Sequence, residues 1–199
     1  MSDFLHEMAA LSAERARSAR ELSTQLEERL LAATPPARLD VSGPGFDLIA
    51  EAKLASPIHG VLVTDRVGTD TVVDLARHYE DAGSVAISVL TEESTFGGDL
   101  HQLQATADAV HVPVMRKDFL VDPIQVIEAR AAGASGVLLI ARILSRHLLE
   151  EMADLAIEHA MFVLVEVFDR SDLDFATRVF DRDVLVGVNC RDLTTLQID

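Results

Sequence analysis

The sequence predicts an α/β fold of the TIM (β/α)8 barrel type, broken off after its sixth strand and preceded by an N-terminal helical extension. Three observations carry this. From residue 48 onward, short apolar runs alternate with amphipathic segments, the pattern of successive βα units on a parallel sheet. Each run is almost continuously hydrophobic, as strands covered on both faces must be. The charged residues that interrupt the runs gather near their carboxyl ends, and no run leads into a GxGxxG turn. A barrel is therefore favoured over a doubly wound dinucleotide-binding sheet.

Residues 3–33, rich in Ala, Leu, Glu and Arg, read as one helix or two, stopped by Thr34-Pro35-Pro36, where proline cannot continue a helix. This places an extension and linker at 1–36 and the barrel domain at 37–199, with the extension expected to cap the bottom or side of the core. The six strand candidates are 48–53, 85–90, 112–117, 136–141, 162–167 and 184–189. Between them, helices are expected at about 70–82, 100–110, 123–132, 145–159 and 170–180. Asp122 followed by Pro123 supplies a cap and a first-turn proline for the third of these, and Gly133 stands where it should stop. Ser145 and Ser171 are candidate caps of the fourth and fifth.

At 199 residues, 49% hydrophobic and 25% charged, the chain can bury one sizeable core. No apolar stretch reaches the length of a membrane span and the first residues lack the apolar centre of a signal peptide, so a cytoplasmic protein is expected. The single cysteine, Cys190, excludes an internal disulfide, and no Cys/His cluster has zinc spacing. A net charge of −16 argues against nucleic acid and anionic membrane as partners. An anionic substrate must instead meet a locally positive pocket.

The basic residues carry the sharpest signal. Of 17 Lys and Arg, only Lys53 and Lys117 are lysines. Lysine is a compact ammonium whose pKa falls on burial, so it can release a proton, whereas guanidinium stays charged. Codon bias alone would leave two lysines anywhere, yet both fall at the ends of strand candidates. Glu51 and Lys53 stand two residues apart, on one face of the first strand, where so close a pair would tune one another. The third strand ends in Arg116-Lys117-Asp118, Glu166 sits near the end of the fifth, and Asn189 closes the sixth, just before Cys190-Arg191. Charged side chains are costly inside a buried parallel strand unless they stand at its open end. Ammonium, carboxylate, amide and guanidinium groups converging there suit acid–base chemistry on an anionic substrate, with no metal or organic cofactor required.

Several of these segments resemble indole-3-glycerol phosphate synthases. The stretch Glu51-Ala52-Lys53-Leu54-Ala55-Ser56-Pro57 is similar to that family's E-x-K-x-x-S-P opening. Ser88-Val89-Leu90-Thr91-Glu92 with Phe96 and Gly98, Arg116-Lys117-Asp118-Phe119, Leu138-Leu139-Ile140, Val165-Glu166-Val167 and Gly187-Val188-Asn189-Cys190-Arg191-Asp192-Leu193 follow in order, so the likeness covers about residues 46–199. It implies a carbon-carbon lyase of aromatic amino-acid (tryptophan) biosynthesis. The substrate would be a phosphorylated anilino-sugar, 1-(2-carboxyphenylamino)-1-deoxyribulose 5-phosphate, closed to indole-3-glycerol phosphate with loss of carbon dioxide and water. By position, Lys117 would be the general acid at the ribulose carbonyl, and Glu166 would manage the protons of the dehydration. Glu51 and Lys53 would orient substrate, and Lys53 is an alternative acid in one step. Asn189 would bind a sugar hydroxyl, Arg191 would face the benzoate carboxylate, and Phe96, Phe119 and Leu138 would wall the aromatic ring. Ser56 joins this set as a substrate-binding residue.

Two departures from the family pattern stand out. Pro57 is followed by Ile58-His59 where the family usually has a serine, and the E-S-G segment of strand seven and the phosphate loops of strands seven and eight have no counterpart in these 199 residues. Six strands cannot close an eight-stranded cylinder, so a homo-oligomer or a complementing chain is expected over the open edges. The alternative to a lyase is an inactive barrel remnant serving as a binding or assembly protein. Another phosphosugar barrel, such as a phosphoribosylanthranilate isomerase, suits the Glu51, Lys53, Lys117 and Glu166 set less well.

Overall fold

A computed structural model describes residues 3–41, 43, 45–56, 60–62 and 68–191. Its centre is a curled sheet of six parallel strands. These are β1 (Ile49–Ala52), β4 (Ala86–Leu90), β5 (Val114–Lys117), β6 (Gly136–Ile140), β7 (Phe162–Val167) and β8 (Leu185–Val188), hydrogen-bonded in that order. β2 (Ala55–Ser56) and β3 (Gly60–Val61) form a separate antiparallel pair just after β1. Strand neighbours are thus neighbours in sequence, joined by right-sized helical crossovers, as a barrel wall requires. The expected strands are all present, each trimmed by up to two residues at its ends except β7, which matches throughout.

The alternation along β7 shows how the two faces divide. Val163, Val165 and Val167 are buried among the helices, while Phe162, Leu164 and Glu166 point to the other, inner face. The outer face of the sheet supplies Ala50, Ile87, Val89, Val114, Val137 and Leu139 to the same helix-covered core. That core is closed by α3 (Thr69–Asp81), α5 (Leu100–Ala109), α6 (Ile124–Ala131) and α7 (Arg146–Glu158), amphipathic helices that place residues such as Val72, Leu103, Val126 and Leu149 against it, while the short α4 (Glu93–Phe96) lies in the loop after β4. Asp122 Oδ1 accepts from Ile124 N at 3.0 Å and Ser145 Oγ from Leu148 N at 3.3 Å, so two of the expected caps are in place. Gly133, at φ +86°, ends α6 as expected. For α8 (Arg170–Ala176) the cap is Asp169 rather than Ser171: Asp169 Oδ1 accepts from Asp172 N at 3.0 Å, and the longer carboxylate also binds the Ser171 hydroxyl. The expected single helix 170–180 tightens into a 3₁₀ turn from Thr177 to Asp181.

The extension forms two helices, α1 (Asp3–Glu21) and α2 (Ser23–Ala32). α2 lies on the side, against α6, through Leu26 and Ala131. α1 departs from the expected position at the bottom or side. Its buried stripe of Leu5, Met8, Ser12, Ala16 and Ala19 follows helical spacing. That stripe is laid across the carboxyl ends of the central strands: Leu5 and Met8 pack on Met115, Phe119, Leu138 and Ile140 of the inner face. Arg15 and Arg20 reach Asp118 and Asp122 in the loop after β5. The physical reason is that Met115, Phe119, Leu138 and Ile140 form an apolar patch, which the apolar stripe of α1 removes from water.

The loop after β4 is packed so closely that Gly98 has no room for a side chain: a Cβ there would stand 2.0 Å from the Leu90 carbonyl oxygen. Gly98→Ala must push backbone against backbone and is expected to cost about 2 kcal/mol, read as a lower denaturant midpoint at unchanged slope.

Candidate active site

Curvature of the sheet brings the ends of β1, β5 and β7 to one place. Glu51 faces inward because its neighbours Ala50 and Ala52 are buried against the helices. Lys117 faces inward for the same reason, with Met115 on its side of β5 and Arg116 on the other. Glu51 uses both oxygens: Oε1 accepts from Lys53 Nζ and Oε2 from Lys117 Nζ. The two lysines of the chain therefore share one carboxylate. Both lysine side chains are about one third exposed, at 35% and 32%, so neither is sealed in the core.

The two glutamates of the site are driven apart. Burial by itself would push Glu51 up, but the adjoining ammonium groups of Lys117 and Lys53 outweigh it, and the carboxyl is held below its ordinary value. At Glu166 burial wins: the carboxyl is raised despite the charge of Lys117 and a hydrogen bond from Asn189, and the nearby Glu51 carboxylate adds to the rise. One carboxyl is thus shifted toward its anionic form by the lysines, and its neighbour is shifted toward its neutral form by burial. That is the pattern expected of an acid–base site. Asn189 is placed by its backbone N donating to Val167 O at 2.9 Å. Its Oδ1 accepts from Arg191 N at 2.9 Å, which leaves the amide nitrogen for Glu166.

The raised carboxyl has a measurable consequence. A glutamate whose folded pKa exceeds its unfolded one costs no stability below the unfolded pKa and costs progressively more as pH rises through the folded one. Glu166→Gln does not titrate. It should therefore be more stable than the parent at pH 7 to 8, with the difference shrinking to nothing as pH falls below that of an ordinary glutamate, followed by denaturation midpoints across pH.

The apolar side of the site holds Phe96, Phe119 and Leu138 in one cluster. Phe96 and Phe119 are 6.3 Å apart, centroid to centroid, at 34°. Phe4 meets Phe119 edge-on at 5.9 Å and, with Leu5 and Met8, comes from α1. Sequence reasoning does not single out these helix residues; the i, i+3 spacing of Leu5 and Met8 is the signal that could have found them. Ser56 lies on the short β2–β3 ladder, three residues beyond Lys53, and Arg191 follows Asn189 as a half-buried residue. Ile58 and His59 and the Asp192-Leu193 end of the last motif lie outside the described residues. Among the described residues, no three His, Cys, Asp or Glu side chains are grouped to hold a metal ion, and no helix is long and apolar enough to cross a membrane.

Fold and site together define a parallel (β/α)-barrel protein with an ammonium and carboxylate cluster at the carboxyl ends of its strands. The family model described as Indole-3-glycerol phosphate synthase matches residues 5–199. Indole-3-glycerol phosphate synthase of Mycobacterium sp. (strain KMS) is 43% identical over 188 residues, covering 92% of this chain and 66% of the relative. That of Leifsonia xyli subsp. xyli (strain CTCB07) is 44% identical over 190 residues, covering 94% of this chain and 70% of the relative. The chain belongs to the indole-3-glycerol phosphate synthase family. It spans 66% of the length of the mycobacterial relatives, including that of Mycobacterium leprae (strain TN), which is 44% identical over 187 residues.

Proposed function

We propose that this site carries out the family reaction, closing 1-(2-carboxyphenylamino)-1-deoxyribulose 5-phosphate to indole-3-glycerol phosphate in tryptophan biosynthesis in the cytoplasm. The observation that supports it best is the Glu51 carboxylate shared by Lys53 and Lys117, with the raised carboxyl of Glu166 next to it. Lys117 donates a proton to the ribulose carbonyl oxygen as the aromatic carbon attacks the carbonyl carbon. Carbon dioxide leaves the ring carbon, and Glu166 transfers protons during the loss of water. Glu51 and Lys53 orient the sugar and stabilise developing charge, and Asn189 holds a hydroxyl. Phe96, Phe119 and Leu138 receive the ring, and Ser56 and Arg191 bind the substrate's polar ends. Residues 1–36 act as an extension to a barrel domain formed by 37–199.

The test is to incubate the purified chain with this substrate and follow indole fluorescence. Emission that grows with protein concentration, and is about 10³-fold slower to appear with Lys117→Ala, supports the reading. No signal above the Lys117→Ala control at high protein concentration contradicts it.

A second reading, a non-catalytic barrel serving binding or assembly, is favoured by the apolar residues left open along the two outer strands. Leu48 is 54% exposed beside β1, and Val186 and Val188 on β8 are 44% and 71% exposed. A homo-oligomer or a complementing chain over these edges is part of this proposal. A stable, soluble monomer by size exclusion with light scattering contradicts that part.

A further inference from the structure

We infer that Arg15 of the N-terminal helix is a positioning residue for the active site, aligning Lys117 and both aromatic walls; this rests on the lyase reading above. Its guanidinium forks between two buried carboxylates. Arg15 Nη2 donates to Asp118 Oδ1 at 2.6 Å, and Nη1 lies 3.8 Å from Glu92 Oε1. Neither acid has any side-chain surface exposed, so the pairing is scarcely screened by solvent.

Each acid in turn fixes a segment of the site. Asp118 Oδ1 accepts from Phe119 N at 2.8 Å, and Oδ2 accepts from Thr91 Oγ1 at 2.9 Å and Arg116 Nη2 at 3.1 Å. Arg116 is anchored from behind by Glu128, at 2.7 Å, and by the Gln125 carbonyl of α6, at 3.1 Å. Thr91 N donates to the carbonyl of Lys117 at 3.1 Å. Lys117 is therefore gripped on both sides in sequence and through its own carbonyl, while its side chain stays free to turn inward to Glu51. Glu92, the second acid, accepts from Thr95 N at 2.7 Å and Phe96 N at 3.3 Å, and so holds the other aromatic wall. One side chain from outside the barrel thus joins the loops that carry Lys117, Phe119 and Phe96. Without it Asp118 would be left to Arg116 as its charged partner, and Glu92 to the N–H and hydroxyl donors of residues 94–96.

A merely structural clamp would be replaceable by any other tie of the helix. Arg20 provides that comparison, because it binds Asp122 at 2.7 Å from the same helix without touching Asp118 or Glu92. The experiment compares Arg15→Gln, Arg15→Lys, Asp118→Asn and Arg20→Gln in the full chain. Two readouts are used: steady-state kinetics, and acetic anhydride acylation of the two lysines resolved by peptide mass spectrometry. Since Lys53 and Lys117 are the only lysines, each is read individually and Lys53 serves as the internal reference.

Arg15→Gln is expected to lower kcat at least about tenfold, with a smaller change in KM, and Arg15→Lys to recover part of it. Acylation of Lys117 relative to Lys53 should rise roughly threefold or more in Arg15→Gln and in Asp118→Asn, because the loosened strand end frees the amine from Glu51. Arg20→Gln should stay within about twofold of the parent in both readouts, as an exposed pair contributes little. Parental kcat and acylation ratio in Arg15→Gln overturn the inference, as do equal effects from Arg15→Gln and Arg20→Gln. If Arg15→Gln does not fold, the acylation ratio of Asp118→Asn decides. A parent without turnover overturns the lyase reading alone, since the acylation ratio still tests the positioning of Lys117.

Discussion

Lys117→Ala is expected to lower turnover of the anilino-sugar phosphate by about 10³-fold, with little change in KM, in steady-state fluorescence assays. The methyl group cannot donate a proton to the carbonyl oxygen, and water entering the gap is a poorer and less well oriented acid. Lys117 also neutralises one oxygen of Glu51, which retains Lys53 as a partner. The folded state should therefore tolerate the change better than the reaction does. A drop in kcat and in kcat/KM by the same factor would mark an interaction made chiefly in the transition state. A rise in KM alone would assign Lys117 to binding.

Glu51→Gln should be nearly as severe, lowering kcat/KM by about 10²-fold, and it should also change the response to acid. The carboxylate sets the position of both amines, and a neutral amide can accept from them only weakly and leaves two ammonium groups facing each other. Because Glu51 is held below its ordinary value, its ion pairs contribute stability above the unfolded carboxyl pKa and lose it as pH falls through the lower, folded one. Parent stability should therefore decline along that acid limb, and Glu51→Gln should lack the corresponding share of the decline. Denaturation midpoints of the two proteins across pH 2 to 7 would show whether the curves converge at low pH as this requires.

Much of this was legible in the amino-acid order because the barrel wall is periodic and its functional residues break the period. Glu51, Lys117 and Glu166 stood out as charges in apolar strands, and the structure places them together at one end of the sheet. Phe96, Phe119 and Leu138 were named from the family likeness and do share one cluster. What the sequence withheld was the place of the extension. Leu5, Met8 and Arg15 sit more than a hundred residues from Phe119 and Asp118, and helical periodicity says which face is buried but not against what. Asp118 and Glu92 were similarly opaque. Each follows a strand as any polar loop residue does, and only the folded geometry shows that they accept from Phe119 N and Phe96 N and share one guanidinium. The Glu51 bridge was half visible: spacing put Lys53 on its face, while the partnership with Lys117 depends on sheet curvature.

Carbon dioxide release tests the central claim most directly, because decarboxylation and ring closure are coupled in the proposed reaction. With substrate labelled at the benzoate carboxyl, the parent chain should release labelled carbon dioxide and form indole product in equal amounts, and Lys117→Ala should do both about 10³-fold more slowly. Labelled carbon dioxide without indole, or neither product at high concentrations of the folded parent, would contradict the assignment of this chemistry to Glu51, Lys53, Lys117 and Glu166.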